Sequence, residues 1–101
     1  MKKLQMTIYL NEADRSGEFP LHEVIVRRLL HLQIAGATVM RGVMGYGKHG
    51  QVHRQRLFGV SDDRPMVITS IDNAVQIHLA VREIRALLSE GLITLQEVEV
   101  P

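Results

Sequence analysis

Strand-like and helix-like segments alternate along this chain in an order that few folds accommodate. Leu4, Met6, Ile8 and Leu10 alternate with Gln5, Thr7 and Tyr9, the period of a strand with one face buried. The polar residues 11–20 end at Pro20, whose missing N–H suits the start of a helix. From Leu21 to about Ile34 the period becomes helical. Leu21, Ile25, Leu29 and Leu32 form a stripe widened by Val26 and Leu30, opposite Glu23, Arg27 and His31. Gly36 is a natural stop. Residues 37–44 predict a second strand, in which Gly42 marks a bulge or a close backbone approach. Met66–Ile71 predicts a third. Asp72 is a fitting N-cap for a second helix over Asn73–Glu90, with Ile77, Val81, Ile84 and Leu88 on one face. Gly91 is placed to end that helix, and Leu92–Val100 predicts a last strand.

The resulting β-α-β-β-α-β order is that of the ferredoxin-like split βαβ unit, an α+β sandwich. Its two helices lie on one face of an antiparallel sheet. The other face would carry a mixed set such as Gln5, Thr7 and Tyr9. Covering its apolar part is a task for further copies of the chain.

The 101 residues make one domain, residues 1–101. A chain of this size buries roughly two-thirds of its surface and forms a core without staples. It has no cysteine, which excludes disulfides, thiolate metal sites and thiol catalysis. Twelve basic and eleven acidic residues leave a net charge of +1, far from the basicity of a dedicated nucleic-acid binder. Aromatic residues make up 4% and Trp is absent, which argues against a base-stacking platform. No apolar run approaches a membrane span and no signal-peptide core follows Met1–Lys3, so the expected compartment is the cytoplasm.

The segment with most chemistry is Arg41–Arg56. Gly42, Gly45, Gly47 and Gly50 permit backbone conformations that gather N–H groups into an anion-binding nest. Lys48, His49, His53, Arg54 and Arg56 add positive charge, and no acidic residue lies between Glu23 and Asp62. Arg41, Gly42, Gly45, Tyr46, Gly47, Lys48, Arg54 and Arg56 are therefore the candidate ligand-binding residues. The competing reading is a solvated loop or hairpin whose charges keep it soluble. Arg41 lies inside the strand pattern and needs a carboxylate or a phosphate as its partner. His49 and His53 have the spacing of metal ligands on a helix, but glycines interrupt the segment and no third ligand is near, so no metal site is expected. His22 beside the apolar stripe fits a partly buried structural histidine. No G-x-S-x-G, H-E-x-x-H or Walker loop is present, and an enzyme is not expected.

The stretches IYLNE (8–12), PLHEVIV (20–26), GATVMRGVMGYG (36–47), RPMVITSID (64–72) and EGLITLQEVEV (90–100) together resemble the domain of unknown function 190 family, nearly from end to end. That family resembles the PII-like signalling proteins. The most specific element is G-A-T-V-x-R-G-x-x-G-Y-G. The resemblance implies a homotrimer whose inter-subunit clefts take a small anionic ligand, an adenine nucleotide being the implied cofactor. It also implies that the 45–56 loop signals to a protein partner such as a membrane transporter or channel. Two departures are visible. His22 stands where the family often has tyrosine, and Ser89-Glu90-Gly91 leaves no counterpart of the late glycine- and lysine-rich phosphate loop of PII proteins. The alternative function on the same fold is a nucleic-acid-binding module.

Overall fold

The structure, a computed structural model, describes residues 2–47, the backbone of His53 and Arg54, and residues 63–101. In chain order the elements are β1 (Lys3–Asn11), β2 (Arg15–Ser16), β3 (Phe19–Pro20), α1 (Leu21–His31), β4 (Thr38–Arg41), β5 (Met44–Gly45), β6 (His53–Arg54), β7 (Pro65–Asn73), α2 (Ala74–Leu87) and β8 (Leu92–Val98). The order β4-β7-β1-β8 builds a four-stranded sheet in which every neighbouring pair is antiparallel. This is the expected ferredoxin-like arrangement. β1 lies at its centre, paired with β7 from Lys3↔Asn73 to Asn11↔Pro65 and with β8 from Lys3↔Val98 to Tyr9↔Leu92.

The alternation in β1 sets the two faces. Leu4, Met6, Ile8 and Leu10 are buried beneath the helices, joined by Met66 and Ile68 of β7. Ile25 and Leu29 of α1 and Ile77, Ala80 and Ile84 of α2 close the core from above. Each of the Leu, Ile and Met side chains among them contributes about 1.5–3 kcal/mol by leaving water. On the outer face, cross-strand partners place Thr7 beside Thr69 and Thr94, and Tyr9 beside Val67 and Leu92. Tyr9, Met40, Ile71 and Leu92 are exposed there, so that face is mixed, as the sequence predicts.

The ends of the elements differ from the expectation. Helix α1 stops at His31, three residues before the predicted end, in a Schellman turn. Ile34 N donates to Leu29 O at 3.1 Å and Gln33 N to Leu30 O at 3.0 Å. Gln33, not Gly36, takes the left-handed conformation, with φ 62°. The turn forms there because Ile34 folds back to be buried with Leu29. Leu30, placed in the stripe from sequence, is 75% exposed.

Asp72 is not a cap. It is the penultimate residue of β7, where its Oδ2 accepts the Ala35 N–H at 2.9 Å and ties the β4 approach to the sheet. Asn73 is the residue before α2 and makes no side-chain cap. Helix α2 ends at Leu87. Gly91, with φ 131°, serves the entry to β8 and not the helix end, because a Cβ there would stand 2.8 Å from the Tyr9 carbonyl oxygen. The 11–20 connection carries a small hairpin, Arg15↔Pro20 and Ser16↔Phe19, turning at Gly17 with φ 61°. LFGV at residues 57–60, which the sequence offers as a short strand end after the basic segment, lies outside the described residues.

The candidate ligand cleft

Both ends of the β4–β7 connection root at one end of the sheet, where β1 finishes and β7 begins. Gly42 N donates to Pro65 O at 2.7 Å, and a Cβ on Gly42 would stand 2.7 Å from the Pro65 ring. This is the close approach that a glycine inside a strand pattern signals. Beyond it, Met44↔Arg54 and Gly45↔His53 pair as a short antiparallel ladder, so the basic segment begins as a hairpin.

Against this root the α2–β8 turn closes a cleft of about 860 Å³. One wall is Gly42 and residues 44–47, the opposite wall is Arg85 with residues 89–92, and the floor is the Tyr9–Asn11 and Pro65–Val67 ends of the central strands. Tyr46 is 77% exposed at the rim. Arg85 is the one cation among the described lining residues, and Asp14 and Glu90 are the two acids. Asp14 is held by its turn: its Oδ2 accepts the Asn11 N–H at 2.9 Å and its carbonyl accepts the Leu21 N–H at 2.8 Å.

Of the residues predicted from sequence, Gly42, Gly45, Tyr46 and Gly47 line the cleft together. Arg41 does not. It forms an ion pair with Glu12, whose side chain is 18% exposed against 52% for Arg41. The need for a carboxylate or a phosphate is met here by a carboxylate. Arg54 has its backbone in β6, and its side chain lies outside the described residues, as do Lys48 and Arg56. Arg85 was missed from sequence. The signal was available: in this topology α2 runs back to the end of the sheet where the β4–β7 connection roots, so a basic residue in its last turn arrives beside that connection. His22 is half-buried on the first turn of α1, as expected of a structural histidine. Among the described residues no three His, Asp or Glu side chains surround a common point, and no helix is long and apolar enough to cross a membrane.

Two helices on one face of this antiparallel sheet make the ferredoxin-like fold, and among solved structures that fold is shared with PII-like proteins. CPII, a nitrogen regulatory PII-like protein from Thiomonas intermedia K12 solved with ADP, AMP and bicarbonate, superposes with a TM-score of 0.75 at 17% identity, covering 99% of this chain and 89% of that one. A putative PII-like signalling protein from Thermus thermophilus gives a TM-score of 0.68 at 12% identity, covering 96% and 87%. At the sequence level, a UPF0166 protein of Aquifex aeolicus is 32% identical over 100 residues, 99% of this chain and 94% of that protein. The profile of domain of unknown function 190, described as an uncharacterized ACR, matches residues 3–100, and the chain belongs to that family.

Proposed function

We propose that this chain is a PII-like regulatory protein: a homotrimer that takes a small anionic ligand, an adenine nucleotide, in the cleft at the root of the β4–β7 connection. It signals through the 45–56 loop to a protein partner, for which a membrane transporter or channel is the candidate. The observation that carries this reading is the cleft itself. It is lined by Gly42, Gly45, Tyr46 and Gly47 of the glycine-rich segment on one side and by Arg85 on the other. A glycine-rich wall that lets a ligand approach the backbone closely, with a guanidinium opposite, suits a phosphate. Tyr9, Met44, Val67 and Leu92 give the remainder an apolar character that suits a base. The ADP and AMP held by CPII support the choice of ligand. The exposed Tyr9, Met40, Ile71 and Leu92 of the outer sheet face support assembly of copies on that face, beside the mouth of the cleft.

Calorimetric titration of ATP, ADP, AMP and cyclic AMP tests the ligand. The expected result is saturable binding of at least one; no heat at millimolar ligand removes the nucleotide. Light scattering tests the assembly, and a stable monomer mass at micromolar protein removes the trimer.

A further inference from the structure

The Glu12–Ala13 segment that follows β1 touches both roots of the β4–β7 connection. Glu12 N donates to Arg64 O at 2.8 Å, and Ala13 N donates to Asp63 Oδ1 at 3.0 Å. From the same short segment the Glu12 carboxylate reaches across to Arg41, the last residue of β4. Glu12 is the more buried partner, so its charge depends on Arg41 for compensation, whereas the half-exposed guanidinium is solvated without it. The residues on either side of the pair line the cleft: Asn11 and Asp14 flank Glu12–Ala13, and Gly42 follows Arg41. Arg41 itself stays outside the lining.

We propose that Glu12 is a positioning residue for Arg41, an internal anion that occupies the guanidinium until a phosphate in the cleft competes for it. This rests on the proposed nucleotide reading and adds to it the group that the site selects. Any exchange leaves the Glu12 carboxylate without Arg41, and a ligand carboxylate, with the same single charge, has nothing to offset that cost. A phosphate monoester carries nearly two charges at neutral pH, with three acceptor oxygens, and offsets it. Neutral ligands gain nothing from Arg41, and their affinity is independent of the pair.

The test is calorimetric titration of AMP and of adenosine into the wild type, Glu12→Gln, Arg41→Ala and the double variant, with thermal unfolding as a check that each folds. Glutamine keeps the Glu12 backbone bond and the side-chain volume but frees Arg41. Glu12→Gln is expected to bind AMP about three- to ten-fold more tightly, Arg41→Ala more weakly, and Glu12→Gln to have no effect on AMP in the Arg41→Ala background. Adenosine affinity stays level across the set. A loss of packing would weaken binding, so tighter binding separates positioning from a structural role. Wild-type binding of AMP with unchanged or weaker binding by Glu12→Gln overturns the role of Glu12 and leaves the nucleotide reading standing. An equal change for adenosine and AMP also overturns it. AMP binding by Glu12→Gln alone supports the proposal, with Glu12 a complete block. Absence of AMP and adenosine binding in all four proteins overturns the nucleotide reading, and the proposal with it.

Discussion

Gly42 and Pro65 are in backbone contact: the amide of one donates to the carbonyl of the other at 2.7 Å, and the pyrrolidine ring fills the space where a Gly42 side chain would stand. This contact fixes where β4 leaves the sheet and where β7 enters it. Gly42→Ala forces the Pro65 ring and carbonyl apart from the strand and should cost about 1–3 kcal/mol. Chemical denaturation measures the loss, and Gly42→Ala made in a Pro65→Ala background should recover part of it. Full additivity of the two changes would show that the ring is not the obstacle.

Gly91 is constrained twice, by its φ of 131° and by the Tyr9 carbonyl oxygen 2.8 Å from the position of a Cβ. Gly91→Ala should destabilise by more than about 2 kcal/mol, since overpacking and a disfavoured backbone act together. Because Gly91 also lines the cleft, binding of AMP should weaken in the fraction that remains folded. Thermal unfolding with and without AMP reads both effects.

At Gln33 the chain takes a left-handed conformation that glycine adopts freely. Relief of that strain outweighs the extra freedom of glycine in the unfolded chain, so Gln33→Gly should stabilise by about 0.5–1 kcal/mol. The midpoint of thermal unfolding should rise by a few degrees, and a fall would mean that the Gln33 side chain makes a contribution of its own.

Arg85 is exposed on the last turn of α2. If it grips the phosphate, Arg85→Ala should lower AMP affinity about ten- to a hundred-fold, the worth of a charge-assisted hydrogen bond. Stability should change by less than about 0.5 kcal/mol, as for other surface substitutions. Unchanged affinity would place the phosphate on the glycine-rich wall.

The order of elements was legible because period-two and helical patterns are set by burial, and Met6, Ile8, Ile25, Ile77 and Ile84 are where those patterns place them. The glycine-rich wall of the cleft was legible too, since Gly42 stands where a side chain could not. Element ends were less so. Gly36 is a better stopping residue than Gln33 by intrinsic preference, yet the turn formed where Ile34 could reach Leu29. Asp72 has the chemistry of a cap, but a partner distant in sequence, the Ala35 amide, took its carboxylate. Arg41 had two partners open to it, and nothing local told a phosphate from Glu12. In each case a tertiary contact settled what local chemistry left open.

The cleft draws its walls from four stretches, around residues 9–14, 42–47, 65–67 and 85–92, that meet only when β1 lies between β7 and β8. No fragment of the chain carries it, and fraying of the β8 edge would dissolve one wall. A molecule held there staples the opening strand to the closing turn, so its binding energy is spread over the entire domain and felt as resistance to unfolding. Amides along β8, at the rim of the sheet, would then exchange only as fast as the whole protein opens. Occupancy of the cleft would be sensed most strongly at an edge that the ligand reaches only through the α2–β8 turn.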